Sequence, residues 1–208
     1  MTPPRSRRHS TLELGAVVVT GALHLVFEEV LQHKTLFIGI ALAGWGTYLG
    51  LAVRRNRAVL TEWGLRFAEL GRDSRWPGLI VLGGGAALAA AGAVRGTLGF
   101  SWHMAALLAL YPVWGLAQQF MLQAMVARNL RSLLTSPVAV TLIAAALFGI
   151  VHWPDPFLMP ATFTLALLFT PIYLKRPSLL PLGVAHGWLG VLAYYWLLGV
   201  DPWLKLGG

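Results

Sequence analysis

Two adjacent glutamines, Gln118 and Gln119, share an apolar stretch with Gln123, and two histidines follow at His152 and His186. Hydrocarbon gives an amide or an imidazole no partner, so such side chains in apolar helices need a reason. An imidazole can take or give a proton near neutrality and can stabilise a developing oxyanion. A glutamine can hold a water or a carbonyl by hydrogen bonds, but it accepts no proton in the relevant pH range. Gln119 and Gln123 are four residues apart and share a helix face, as do Phe148 and His152; Gln118 lies about 100° around from Gln119. Each residue alone could be interhelical glue. Together they read as the lining of one buried pocket.

Membrane helices must position these groups. The chain is 57% apolar and only 12% charged, with a mean hydropathy of +0.66, far from a soluble composition. A bilayer core needs about 20 apolar residues per helix. Seven segments qualify or nearly so: 12–31, 36–53, 78–94, 104–127, 138–153, 157–174 and 179–199. Glu28 and Glu29 interrupt the first; a Pro154-Asp155-Pro156 turn separates the fifth from the sixth, and a polar break at Arg128 and Arg131 follows the fourth. The fold class expected is all-α: a polytopic membrane helix bundle of about seven transmembrane helices in one membrane domain, 12–208, after a basic cytoplasmic tail, 1–11.

Charge sets the orientation. With the N-terminus cytoplasmic, thirteen of the sixteen Lys and Arg residues fall on inner loops, leaving Lys34, Arg95 and Lys205 outside. Seven spans then put the C-terminus outside. The net charge of +8 on so apolar a chain points to cytoplasmic loops and lipid headgroups, not to nucleic acid. There is no cysteine, which excludes disulfides, a thiol nucleophile and Cys metal sites. The first apolar run lacks an A-x-A cleavage signal and reads as a retained helix. Leu60, Trp63, Phe67 and Leu70 recur at helical spacing, with Glu62, Arg66 and Glu69 displaced around the axis; this predicts an amphipathic cytoplasmic helix over 58–72, in the headgroup layer or packed on protein. Gly83, Gly84 and Gly85 allow close helix approach.

Depth supports convergence. His186 and Gln118 each lie ten residues from a cytoplasmic arginine, Arg176 or Arg128, so both should sit about 15 Å deep; His152 falls nearer the outer surface. His24 and Glu28 are four apart in the first span, as are Glu29 and His33, so each pair should share a helix face. His9 and His103 read as interfacial, like Trp76, Trp102, Trp153 and Trp203 near span ends. Asp155 reads as a turn residue, with orientation of the His152 ring as the alternative.

From about residue 61 to 199 the chain resembles the CPBP family, the CAAX-protease and bacteriocin-processing membrane proteins, also called abortive-infection proteins. Family members carry E-E-x-x-x-R in one helix, F-x-x-x-H in the next and H-x-x-x-N/D two helices later. Here the corresponding residues are Gln118-Gln119-x-x-x-Gln123, Phe148-x-x-x-His152 and His186-x-x-x-Gly190. The resemblance implies an intramembrane hydrolase in a bacterial inner membrane, acting on a peptide or on a prenylated or other lipid-linked substrate that enters from the bilayer. It also implies that His152 and His186 stabilise an oxyanion, with Gln118 and Gln119 positioning water or substrate and Gln123, Phe148 and Gly190 lining the pocket; His24, outside the resemblance, is read as a further pocket residue from its place beside Glu28 in the first span. Both motif glutamates are absent, and with them the base that would activate water. Three readings of that loss stay open at this point. Glu28 supplies a substitute carboxylate; His24, Glu28, His152 and His186 hold a divalent metal such as zinc; or the chain is a silent relative that binds a lipid, prenyl or peptide ligand or assists assembly of a membrane complex.

Overall fold

The computed structural model describes residues 6–68 and 70–205, and only the backbone of Lys34 and Lys205. Arg5 of the basic tail, Glu69 of the expected surface helix and the side chains of those two lysines lie outside the described residues. Ten helices follow in order: α1 (Arg7–Leu25), α2 (Lys34–Arg55), α3 (Ala58–Trp63), α4 (Leu70–Asp73), α5 (Arg75–Arg95), α6 (Trp102–Gln119), α7 (Arg128–Leu133), α8 (Pro137–Ile150), α9 (Leu158–Lys175) and α10 (Leu179–Leu192). Wider π-helical turns extend α1 through Val30 and α10 through Leu197, and Phe120–Ala127 carries α6 into α7 without a break. No strand occurs among the described residues. The protein is an all-α, polytopic membrane helix bundle.

Among the described residues five helical runs are long and apolar enough to cross a membrane: Arg7–Val30, Thr35–Arg55, Leu70–Arg95, Trp102–Leu133 and Leu158–Lys175. The other two expected segments are helical as well, but α8 has only 14 residues, about 21 Å at 1.5 Å per residue.

Four local expectations are corrected. The first helix starts inside the supposed tail, at Arg7, because the Ser6 side chain accepts the backbone N–H of His9 at 3.3 Å and caps it. The helix expected over 58–72 is broken at Gly64, whose φ of 89° ends α3 while Leu65 N–H returns to Leu60 O and Gly64 N–H to Thr61 O. Trp63 is consequently buried against protein and Phe67 is exposed, so no single amphipathic face forms. The polar break at Arg128 and Arg131 is itself helical: Arg128 reaches Glu62 at 2.7 Å and Asn129 is buried. Finally, the first helical run ends at Val30 and Gln32 adopts φ 56°, so Glu29 and His33 do not share a helix face.

The chain forms two compact units. The first is Met1–Leu65 with Met121–Pro177; its core packs Leu122, Val126, Val140, Ala144 and Phe148 with Ala166. A buried carboxylate also ties it together. Glu13 of α1 accepts from Tyr48 Oη of α2, from Asn129 Nδ2 of α7 at 2.9 Å and from His9 Nε2 at 3.2 Å. The second unit is Arg66–Phe120 with Ser178–Gly208, built on Met104, Leu107 and Val191 with Tyr195, Trp196 and Trp203 around them.

Candidate functional site

In the second unit, α6 and α10 touch backbone to backbone, and glycine is the reason. A Cβ on Gly115 would lie 2.3 Å from Gly183 O, one on Gly183 would lie 2.6 Å from Leu116 Cα, and one on Gly187 would lie 2.7 Å from Tyr111 O. Pro112 adds a second device. Lacking an N–H, it leaves the Leu108 carbonyl without its usual helical donor. The Trp188 indole of α10 donates to that oxygen at 2.9 Å. A helix defect on α6 thus becomes an anchor for α10.

This contact brings two of the motif residues together. Gln119, fully buried, donates its amide N–H to Nδ1 of His186 at 2.9 Å, and His186 is itself buried. A nitrogen that accepts carries no proton, so the neutral ring holds its proton on Nε2 and presents Nε2–H as a donor. Gln118, one residue earlier, stays partly exposed. At Gly190 a Cβ would meet only the Tyr111 ring, at 4.0 Å.

The remaining motif residues belong to the first unit. Gln123 is fully buried within the π-helical turns after α6. Phe148 is buried on α8, but His152 lies beyond the helix end at Ile150, in a turn, so the shared helix face is not what joins them. Instead His152 donates Nδ1–H to the Phe148 carbonyl at 2.7 Å, and the two rings meet edge-on at 5.1 Å. A carbonyl can only accept, so the neutral His152 ring carries its lone pair on Nε2. The Thr162 hydroxyl of α9, which donates to Leu158 O at 2.7 Å, also lies 3.3 Å from the Phe148 carbonyl. Asp155 is a turn residue: its Oδ1 accepts the backbone N–H groups of Phe157 and Leu158, each at 2.9 Å.

Glu28 accepts from His24 Nε2 at 2.9 Å, as their spacing predicted, and His24 packs on Phe37. About a quarter of the Glu28 side chain stays exposed. A metal does not fit these donors. Among the described residues no three His, Asp or Glu side chains gather. His186 presents N–H rather than a lone pair at Nε2, and the two motif glutamines bring no negative charge.

Two polar clusters escaped the sequence reading. One is the Glu13 cluster, whose partners lie 35 and 116 residues away. The other is His103 with Asp201, 98 residues apart and joined at 2.7 Å. The asparagine and aspartate look like ordinary polar residues in sequence, and no local pattern marks them.

With the geometry described, the comparison with known families decides the assignment. Residues 99–192 match the model of a family described as Type II CAAX prenyl endopeptidase Rce1-like. This stretch, a little under half of the chain, is similar to the CPBP family. It contains Gln118, Gln119, Gln123, Phe148, His152, His186 and Gly190, the residues that carry the resemblance to CAAX-protease-like membrane proteins. No curated protein and no solved structure matches the chain.

Proposed function

We propose that this chain keeps the CAAX-protease-like ligand site and has lost the hydrolytic step. It binds a peptide or a prenylated or otherwise lipid-linked chain in the membrane. The observation that carries this is the Gln119 amide donating to Nδ1 of buried His186. A glutamate at 119 could only accept; it would pull the ring proton to Nδ1 and would also be a proton acceptor itself. The amide does neither. With Nδ1 accepting, the neutral His186 ring is a donor at Nε2, a polarity that can stabilise a carbonyl or carboxylate oxygen but does not activate water. The proposed setting is a bacterial inner membrane, N-terminus cytoplasmic and C-terminus outside, a reading supported by the thirteen basic residues on one side of a seven-span topology.

The test is cleavage of a prenylated CAAX-type peptide by purified protein in detergent. Wild type is expected to be inactive, and Gln118→Glu/Gln119→Glu to gain roughly 10²–10⁴-fold, the usual contribution of a general base. Wild-type cleavage that His152→Ala abolishes would overturn the proposal. A second reading, favoured by the His24–Glu28 bond, is a working hydrolase with Glu28 as its carboxylate. Glu28→Gln then removes activity already present in the wild type.

A further inference from the structure

At the opposite end of α6 from Gln119, its first turn meets the segment after α10. His103 donates Nδ1–H to Asp201 Oδ2 at 2.7 Å, which leaves the Nε2 lone pair on the neutral ring. Asp201 Oδ1 accepts from Tyr195 Oη and from the Trp203 backbone N–H at 3.0 Å. Desolvation pushes the Asp201 carboxyl up, but hydrogen bonds from Tyr195, His103 and Trp203 outweigh it and hold the group below the usual carboxylate value. The acid is therefore anionic at neutral pH. Two indoles flank the imidazole. Trp203 stacks on it at 5.6 Å with 14° between the rings, and Trp102 meets it edge-on at 4.2 Å. Trp102 is 66% exposed; His103 and Asp201 keep 20% and 23% of their side chains exposed. Tryptophans at helix ends sit at headgroup depth.

We infer that Trp102, His103, Asp201 and Trp203 form a binding site for a primary ammonium group at the membrane surface. Three features select that chemistry together. The carboxylate supplies negative charge, the indole faces attract a cation, and Nε2 accepts a hydrogen bond that an ammonium N–H can donate. A phosphate fails on the first and third counts. A quaternary ammonium satisfies the first two but has no N–H to give. The ammonium can belong to an ethanolamine lipid headgroup or to a free amine.

The experiment uses the full chain, ¹⁵N-labelled at histidine, in phosphatidylglycerol nanodiscs. Phosphatidylethanolamine, phosphatidylcholine and soluble ethanolamine are titrated in turn while the His103 Nε2 resonance is followed. A saturable shift with phosphatidylethanolamine and none with phosphatidylcholine is expected. A response to the lipid alone assigns the site to headgroups; a response to ethanolamine as well assigns it to ammonium groups generally. Both outcomes support the site. Asp201→Asn should weaken binding roughly tenfold, about one affinity decade, with the His186 signal reporting that the unit is still folded. Should that variant unfold, Trp102→Leu at an exposed position gives the second measurement, expected to weaken binding severalfold. No shift with either amine, an equal shift with phosphatidylcholine, or unchanged affinity in both variants overturns the inference. Gln119→Glu should leave this binding unchanged, so the result is independent of the proposed function.

Discussion

The two motif histidines are wired with opposite polarity. In the first unit His152 donates Nδ1–H to the Phe148 carbonyl and carries its lone pair on Nε2. In the second, His186 accepts at Nδ1 from the Gln119 amide and carries Nε2–H. Both rings come from the same kind of residue in the same family motif set, so chemistry is decided one atom further out. The group tied to one ring nitrogen fixes what the other can do. At position 119 a carboxylate and an amide have nearly the same shape and opposite instructions. That is why Glu-to-Gln at this site is a larger change than its size suggests.

The strongest way to break the contrast is to reverse one side of it. Gln119→Glu should move the His186 proton from Nε2 to Nδ1, so that both motif rings carry lone pairs on Nε2. Ring ¹⁵N shifts would read this directly, with His152 unchanged as the internal control. If His186 keeps Nε2–H against a glutamate, the hydrogen-bond polarity assigned to Gln119 is wrong. The next largest effect attacks the geometry instead of the chemistry. Gly115→Ala places a methyl 2.3 Å from Gly183 O and 2.7 Å from Gly187 N, all backbone atoms that cannot rotate aside. Overpacking of this kind costs about 1–3 kcal/mol. Thermal melting in detergent should drop accordingly, and the Gln119–His186 bond should be lost from the His186 spectrum.

Glu13 sharpens the comparison because it is the inverse of Gln119. Here a buried carboxylate accepts from an amide, Asn129, and from Tyr48 and His9. Glu13→Gln puts an NH₂ where acceptors are needed, leaving a donor facing a donor. Hydrogen bonds to charged groups are worth about 1.5–3 kcal/mol, so a loss of roughly 1–3 kcal/mol is expected by denaturant or thermal unfolding. No measurable loss would mean that the first unit does not depend on this carboxylate. His103 adds a carboxylate-backed ring to the series. Asp201 has its folded pKa lowered from 3.8, so its contribution is present above that value and is lost as pH falls through the lower, folded one. Wild-type melting temperature should therefore fall more steeply below about pH 4 than that of Asp201→Asn. Parallel curves would show that the cluster does not couple to folding.

Much of the architecture was readable from hydropathy. Each of the seven apolar segments became a helix, with ends shifted by a few residues where a cap or a partner intervened. Gln118 and His186 were matched in depth on paper; the residue that meets His186 is the next one, Gln119. The surface helix over 58–72 failed although its stop signal was visible, because Gly64 after Trp63 favours a left-handed cap over a continued stripe. The helical continuation through Arg128 and the burial of Glu13 were not readable. Their warrants are Glu62, Tyr48 and Asn129, partners 35 to 116 residues away that no local pattern encodes. His103 was read as interfacial for the same reason: Asp201, 98 residues on, is what gives it a role. Local periodicity reports which face is apolar, whereas a buried polar pair is a statement about two distant positions at once.

The smallest expected effect concerns His24, another imidazole with a carboxylate partner. Its bond to Glu28 looks like that of His103 to Asp201, but both groups lie one turn apart on the same helical run. A pair of this i,i+4 kind orders little that the helix has not already ordered. Part-exposed pairs of this type contribute about 0.3–0.5 kcal/mol. Glu28→Gln should therefore shift unfolding by no more than about 0.5 kcal/mol, a change near the resolution of a careful melt. Its value lies in what else is measured on the same sample. If ligand binding and any cleavage are also unchanged, Glu28 is a local helix partner and the chain has no replacement for the missing glutamates. If stability holds but activity falls by tenfold or more, the carboxylate acts beyond its own helix, and the silent-relative reading gives way to a rebuilt hydrolase.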